Sequence, residues 1–205
     1  TERAVRAMAD AGTPYRGVIY PGMMLTADGP RVVEFNARFG DPETEVLLPR
    51  LRTDLLDICD AVAHRRLADV PVEWDDRATV GVMMVSPGYP GDYPKGAPIT
   101  GVDDVDEDVQ VFMAGTARDG AGRLVTAGGR VLCIVAGGAT VPEARERAYD
   151  NVRHRDRVEV DALAALDHRT AHGGHRWARD HRGHRAVDGV ANVSASSARP
   201  AMSVR

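Results

Sequence analysis

Residues 34–45 read E-F-N-A-R-F-G-D-P-E-T-E, and they directly follow a short apolar run that is typical of a strand. These twelve residues contain four carboxylates, one amide and one arginine. Carboxylates placed so close together repel one another unless a cation lies between them. The stretch therefore indicates a metal–phosphate site at the end of a strand.

Glu34 and Asn36 are two residues apart, so both side chains project from one face of a strand. A carboxylate and an amide oxygen suit Mg²⁺, which completes its coordination with water and nucleotide phosphates. Arg38 continues the same alternation if the strand persists, and its planar guanidinium suits a phosphate or acyl-phosphate oxyanion. The spacing predicts two metal ligands followed by an oxyanion-binding residue.

Gly40 and Pro42 are expected to end the strand, which places Asp41 and Glu43 in a loop beside the site. There the two acids could accept hydrogen bonds from an amine or from sugar hydroxyls. The residues also allow a purely structural interpretation. Glu34 and Arg38 could form a surface ion pair, and D-P-E could start a helix with proline in its first turn. Spacing alone leaves both interpretations open.

The stretch R-F-G-D-P-E-T-E, residues 38–45, resembles the signature of the phosphoribosylamine–glycine ligases, also called glycinamide ribonucleotide synthetases. The resemblance extends over most of residues 1–152. Its further motifs occur in the order expected of the family: Y-R-G-V-I-Y-P-G-M-M (15–24), V-V-E-F-N-A (32–37), G-Y-P-G-D-Y-P-K-G (88–96), F-M-A-G-T (112–116), L-V-T-A-G-G-R-V-L (124–132) and E-A-R-E-R-A-Y (143–149).

This resemblance implies an ATP-grasp enzyme of purine biosynthesis in the cytoplasm, with a monomeric parent. Such an enzyme holds ATP and Mg²⁺ (or Mn²⁺) between two α+β lobes and phosphorylates the carboxylate of glycine. The amine of 5-phosphoribosylamine then attacks the acyl phosphate. The resemblance implies that Glu34 and Asn36 bind the metal and that Arg38 steadies the transferred phosphoryl group. Asp41 and Glu43 are candidates for binding substrate, and which of the two contacts it stays open.

The predicted fold class is α+β, in three segments. Residues 1–76 form the C-terminal part of an ATP-grasp domain, and residues 77–152 form a small β-rich domain, barrel-like or a sandwich. Residues 153–205 form a tail with ten arginines and six of the seven histidines. The tail has too few large apolar residues to offset the entropy of ordering, so we expect disorder there. The abrupt change at residue 152 suggests a reading-frame change.

Local patterns predict the secondary structure of the first two segments. In residues 1–76 they predict a helix ending at Gly12, strands at 15–25 and 31–35 joined by a turn at Asp28-Gly29, and a helical face over 45–67 that is interrupted at Pro49 and restarts at Thr53-Asp54. In residues 77–152 they predict strands at 79–85, 109–116, 123–127 and 130–136, then a helix capped by Thr140.

Besides the change at residue 152, two departures from the family pattern limit what the chain is expected to do. It lacks the lysine and the glycine-rich loop of the ATP lobe, so we expect the isolated chain to be inactive. The position near Gly22, where many ATP-grasp enzymes carry another metal-binding acid, has none. Two alternatives stay open: another ATP-grasp carboxylate–amine ligase, or a non-catalytic interaction module that retains the fold.

The composition is typical of a globular protein, with 43% hydrophobic and 27% charged residues among 205. A net charge of -4 does not favour nucleic acid as a partner. Small-molecule substrates are what the resemblance to the ligase family implies. The sequence has no run of eighteen apolar residues that would predict a membrane span. Cys59 and Cys133 lie in different segments, which predicts two buried thiols in a reducing compartment.

Overall fold

The computed structural model describes residues 1–153, together with the short segments 164–166, 178–179 and 185–186. The described chain divides into two units. The first unit contains residues 1–44 and 50–75, and the second contains residues 45–49 and the described residues from 76 onward. Helices and strands occur in both, which confirms the predicted α+β class.

The first unit begins with α1 (Glu2–Asp10), and Gly12 follows it with a φ of 79°. This left-handed conformation is the usual way for a helix to end at glycine, so the predicted helix end is confirmed. The predicted strand at 15–25 begins five residues late. The Tyr15 hydroxyl donates a hydrogen bond of 2.6 Å to the carbonyl of Val18, which folds residues 15–18 back on themselves.

The hairpin of the first unit consists of β1 (Tyr20–Thr26) and β2 (Gly29–Asn36). Thr26 pairs with Gly29, so the turn has two residues, and Gly29 has a φ of 98°. A positive φ costs glycine little, which explains why a glycine stands at this position. The hairpin predicted from Asp28-Gly29 is therefore confirmed, with its turn one residue earlier than expected.

A β-bulge changes the pairing part-way along this hairpin. Gly22 pairs with Glu34 and Met23 pairs with Val32, so Val33 is an extra residue in β2. Paired residues project from the same face of an antiparallel sheet. One face is consequently apolar, and four of its side chains are substantially exposed: Met23 (52%), Leu25 (84%), Val32 (49%) and Phe35 (45%). The opposite face carries Tyr20, Glu34 and Asn36.

Two helices follow the charged loop, with a break between them. α2 (Glu43–Leu47) runs into a short 3-10 turn that contains Pro49, and α3 (Leu55–Ala63) begins after Asp54. The Asp54 carboxylate accepts a hydrogen bond of 2.7 Å from the backbone N–H of Leu56, so it caps α3. The predicted interruption at Pro49 and the predicted new start at Asp54 are confirmed.

The two cysteines differ in environment. Both are free thiols, as predicted, and Cys133 is buried in the second unit. Cys59 is exposed, so the prediction that both thiols are buried is wrong for it. The cause is the orientation of α3, which packs Ile58 and Ala61 into the core of the first unit and turns Cys59 outward.

The second unit is built on an open antiparallel sheet in the order β4-β7-β3-β8. Its strands are β3 (Ala78–Val85), β4 (Gln110–Met113), β7 (Arg130–Gly138) and β8 (Ala164–Leu166). A separate hairpin joins β5 (Thr116–Arg118) to β6 (Leu124–Thr126). The structure therefore has the expected β-rich domain. Its described strands do not close into a barrel, which was one of the two forms that the sequence allowed.

The central strands β3 and β7 are apolar at most positions, and side chains on both faces of the sheet are buried. On one face Val82, Leu132 and Ile134 pack with α4 (Val141–Arg153). On the other face Met83 and Cys133 pack around Val46 of α2. Continuous apolar runs are typical of strands that are covered on both sides.

The closing helix begins as predicted. The Thr140 hydroxyl accepts a hydrogen bond of 3.3 Å from the backbone N–H of Glu143, and the Glu143 carboxylate accepts one of 2.9 Å from Ala139. This reciprocal arrangement satisfies N–H groups that have no partner within the helix. Among the described residues, no helix is long and apolar enough to cross a membrane.

Of the Arg/His-rich tail, the structure describes the end of α4, β8 and two further short strands, β9 (Ala178–Arg179) and β10 (Arg185–Ala186). β8 adds to the edge of the main sheet by pairing with β3, and β9 pairs with β10. The predicted disorder of the other tail residues concerns positions outside the described chain.

Replacing Asn151 by alanine should destabilise the second unit by about 2 kcal/mol. Asn151 is fully buried, donates 2.9 Å hydrogen bonds to the Asp106 carboxylate and the Arg147 carbonyl, and accepts one of 2.9 Å from the Asp106 N–H. Denaturant unfolding followed by circular dichroism measures the loss. Asp104→Ala, an exposed change in the same loop, should cost less than about 0.5 kcal/mol. Equal losses in the two variants would contradict the prediction.

Candidate functional site

The candidate site lies on the polar face of the hairpin, where Glu34 and Asn36 lie side by side. The Asn36 amide nitrogen Nδ2 donates a hydrogen bond of 2.9 Å to Glu34 Oε1. The Glu34 side chain is exposed and Asn36 is half-buried. The structure therefore brings together the two residues that the strand alternation placed on one face.

Gly22 provides the space for the Glu34 side chain. It pairs with Glu34 on the neighbouring strand, and a Cβ added at Gly22 would lie 3.2 Å from Glu34 Cγ. Such a contact is tighter than ordinary van der Waals packing. A side chain at this position would require Glu34 to shift by a few tenths of an ångström.

Arg38 is not part of the strand, which ends at Asn36. Its guanidinium Nη1 donates a hydrogen bond of 3.1 Å to the backbone carbonyl of Phe39. The side chain is exposed, and this contact is with its own loop. The structure therefore does not continue the strand alternation from Asn36 to Arg38.

Asp41 and Glu43 follow in the loop, and they differ in how they are held. Asp41 is exposed, whereas Glu43 is half-buried and folds across Gly40. A Cβ added at Gly40 would lie 2.1 Å from Glu43 Oε2, so a larger residue at this position would require the Glu43 carboxylate to move. The Gly40 carbonyl also accepts a hydrogen bond of 3.1 Å from the backbone N–H of Thr44.

Tyr20 is a residue of this site that the sequence patterns did not single out. It lies opposite Asn36 in the hairpin, on the face that also carries Glu34. Burial raises the pKa of the Tyr20 phenol above its ordinary value, and the negative charges of Glu43 and Glu34 raise it further. The phenol therefore keeps its proton at neutral pH.

The donor set suits a hard divalent cation that takes few protein ligands. Within the part of the chain that the structure describes, no group of three or more His, Cys, Asp or Glu side chains could hold a metal. Glu34 and Asn36 offer one carboxylate and one amide oxygen, and Mg²⁺ fills its other positions with water and phosphate oxygens. In the observed arrangement the amide nitrogen faces Glu34, and half a turn of the amide would present Oδ1 instead.

Two family models match this chain. The model described as "Phosphoribosylglycinamide synthetase, ATP-grasp (A) domain" matches residues 1–44, and "Phosphoribosylglycinamide synthetase, C domain" matches residues 79–164. Together the two matches cover more than half of the chain, in the order that the motifs predicted. The chain belongs to the phosphoribosylamine–glycine ligase family. Glu34, Asn36, Arg38, Asp41 and Glu43 all lie inside the ATP-grasp match.

Curated relatives of the family agree with this assignment. The chain is 49% identical over 152 residues to a phosphoribosylamine–glycine ligase of Rhizobium meliloti, covering 74% of this chain and 36% of that protein. It is 49% identical over 149 residues to the enzyme of the same name in Caldanaerobacter subterraneus, covering 72% and 35%. The chain thus spans little more than a third of the length of these ligases.

A crystal structure of phosphoribosylamine–glycine ligase from Thermotoga maritima resembles the fold with a TM-score of 0.61 and 34% identity. The similarity covers 78% of this chain and 38% of that chain. The ATP-grasp and ligase assignments predicted from R-F-G-D-P-E-T-E are confirmed at the level of the family. The C-domain match continues to residue 164, beyond residue 152, where the sequence resemblance was expected to stop.

Proposed function

We propose that this chain is the C-terminal part of a ligase that joins glycine to 5-phosphoribosylamine in de novo purine synthesis, in the cytoplasm. ATP phosphorylates the glycine carboxylate, which gives glycyl phosphate and ADP. The amine of phosphoribosylamine then attacks the acyl carbon and displaces phosphate, so that glycinamide ribonucleotide forms. The observation that carries the proposal is the Glu34–Asn36 pair inside a segment that matches an ATP-grasp domain.

In this proposal residues 1–76 supply part of the ATP-grasp domain and residues 77–152 supply the C-terminal domain. Glu34 and Asn36 bind Mg²⁺ or Mn²⁺, which neutralises phosphate charge during phosphoryl transfer. Rotation of the Asn36 amide is favourable only when a cation is present, because an amide oxygen facing a carboxylate otherwise repels it.

Arg38 is proposed to hold the transferred phosphoryl group. Its exposed guanidinium has one hydrogen bond to its own loop, so a rotation of the side chain would free the planar donors for an oxyanion. Asp41 and Glu43 are proposed to accept hydrogen bonds from the substrates. Phosphoryl transfer depends on positioning and charge neutralisation more than on covalent help from the protein, and these residue types supply both.

A hybrid enzyme tests the proposal. The 152-residue segment of this chain that is 49% identical to the Rhizobium meliloti ligase would replace its counterpart in that enzyme. We expect the purified hybrid to release ADP only when glycine, phosphoribosylamine and Mg²⁺ are all present. The isolated 205-residue chain should release none, because it spans little more than a third of the length of the ligases that it matches.

The outcomes separate the proposal from its rivals. A folded hybrid that binds Mn²⁺ and shows no ligase activity would favour a non-catalytic module that retains the fold. Activity with another carboxylic acid in place of glycine would favour a different ATP-grasp ligase. ADP release by the isolated chain would contradict the expectation that it is inactive alone.

A further inference from the structure

The hairpin of β1 and β2 presents its apolar face to solvent. Met23, Leu25, Val32 and Phe35 lie on this face, and their exposed fractions run from 45% for Phe35 to 84% for Leu25. A sheet of two strands is marginally stable in water at best, and packing of its apolar face against another element stabilises it. Contiguous exposed apolar surface marks a site of interaction more often than a single exposed residue does. The face therefore has the character of an interaction surface.

The helix that precedes the hairpin also has an apolar side without deep burial. Val5 and Met8 are three residues apart on one side of α1, and no residue of this helix is buried. Among the described residues, seven of the nine large hydrophobic side chains that are exposed lie within residues 8–35. The sheet of the second unit differs, since it has α4 on one face and Val46 on the other. The exposed apolar surface is thus concentrated in the segment that matches the ATP-grasp model, residues 1–44.

We propose that the apolar face of the hairpin is a docking surface for the rest of the ATP-grasp domain of a complete ligase. Residues 1–44 are fewer than an ordinary domain contains, and the chain spans 36% of the Rhizobium meliloti ligase. The remaining length of such a ligase is ample for a helix or sheet with an apolar face. The inference rests on the proposed function for the identity of the parent enzyme and on the observed exposure for the surface.

The two faces of the hairpin have different requirements in a complete ligase. Glu34 and Asn36 lie on the polar face together with Met24, and a cation with bound phosphates needs this face open. The apolar face carries no charged side chain among Met23, Leu25, Val32 and Phe35, so covering it removes no ligand for the cation. Docking is therefore expected on the apolar face alone.

A second copy of the chain is the rival occupant, because two such faces could bury their apolar side chains against each other. A partner within the same polypeptide is present at an effective concentration on the order of millimolar. A second copy in an ordinary dilute solution is far less concentrated and competes poorly. The rest of the ATP-grasp domain is therefore the favoured occupant in a complete ligase.

Methionine oxidation by hydrogen peroxide tests the proposal, because Met23 and Met24 lie on opposite faces and are each 52% exposed. Mass spectrometry of peptides gives the oxidation rate of each residue. In the isolated 205-residue chain, the two rates should agree within about threefold, since oxidation follows exposure. In the hybrid ligase described above, the Met23 rate should fall by about tenfold or more, while the Met24 rate stays within about threefold of its value in the isolated chain.

Two substitutions to glutamate show whether docking causes the protection. Leu25→Glu places a charge on the apolar face, and the cost of desolvating it opposes docking, so the Met23 rate in the hybrid should return to within about threefold of the isolated chain. Arg31→Glu places the same carboxylate on the polar face, opposite Met24, and should leave Met23 protected. Met83 is buried in the second unit, and its slow oxidation in every variant reports that this unit is folded.

Three results would overturn the proposal. The first is a Met23 rate in the hybrid that equals the rate in the isolated chain, and the second is equal protection of Met23 and Met24. The third is protection of Met23 already in the isolated chain. Such protection would identify a second copy as the occupant if it increases with protein concentration, and another segment of this chain if it does not.

The oxidation rates do not depend on ligase activity, so the proposed function can fail separately. A hybrid that protects Met23 and releases no ADP with glycine, phosphoribosylamine and Mg²⁺ would contradict the proposed function and support the docking surface. A hybrid that releases ADP with these substrates and leaves Met23 unprotected would contradict the docking surface and support the proposed function.

Discussion

Glu34→Gln should lower kcat/KM of the hybrid ligase by about a hundredfold or more, because a divalent cation contributes several kcal/mol of charge stabilisation to phosphoryl transfer. The substitution keeps the size of the side chain and removes its charge. A neutral amide at this position leaves the Glu34–Asn36 pair with two weak oxygen donors and no anion. Initial rates of ADP release at several Mg²⁺ concentrations measure the effect.

The dependence of the rate of ADP release on Mg²⁺ concentration shows whether the lost activity reflects weaker metal binding. If Glu34 binds the cation, part of the lost activity should return as Mg²⁺ is raised. Glu73→Gln is the matched control, since Glu73 is an exposed acid of the same unit outside the hairpin. The hybrid ligase with Glu73→Gln should keep a kcat/KM within about twofold of the parent hybrid. An undiminished rate in Glu34→Gln, or an equal loss in Glu73→Gln, would contradict the metal assignment.

The hairpin shows how far local sequence patterns reach. The turn and the shared face of Glu34 and Asn36 were predictable, because turn residues and the two-residue period of a strand are local properties. The bulge was not. Counting regular pairs from the turn would place Tyr20 opposite Phe35, whereas the extra residue Val33 places it opposite Asn36. No local signal marked the bulge, so Tyr20 was missed.

The predicted strand alternation did not reach Arg38 for a related reason. Its predicted orientation required the strand to continue two residues beyond Asn36, and β2 ends there. Residues 39 and 40 are instead engaged by contacts of the loop: the Phe39 carbonyl accepts from Arg38, and the Gly40 carbonyl accepts from Thr44. Such loop contacts depend on the following helix, which a spacing rule within one strand does not include.

The sheet of the second unit was predictable because each strand is apolar at nearly every position. β3 and β7 were expected within two residues of their observed ends, and the Thr140 cap located α4.

The exposed apolar face of the first hairpin illustrates the opposite case. Its composition predicts strands, but the exposure of Leu25 and Met23 follows from packing that the sequence pattern alone does not specify.

Ile134→Ala should destabilise the second unit by about 3 to 4 kcal/mol, which is a large fraction of the stability of an ordinary domain. Ile134 is fully buried at the middle of β7, between its partners Val82 on β3 and Val111 on β4. Its side chain packs on the face of the sheet that α4 covers, in the same cluster as Ala144 and Ala148. Removing three carbons leaves a cavity that two adjacent strands cannot collapse to fill.

Ile134→Val provides the graded comparison, since it removes one methyl group and should cost only about 0.5 to 1.5 kcal/mol. A chain of two units need not unfold in a single transition, so hydrogen exchange of the β3 and β7 amides reports on the second unit more directly than a global unfolding curve does. Protection of these amides should be highest in the parent, lower in Ile134→Val and lowest in Ile134→Ala. If Ile134→Ala loses no more protection than Ile134→Val, the face of the sheet under α4 is not the tightly packed core that the buried side chains indicate.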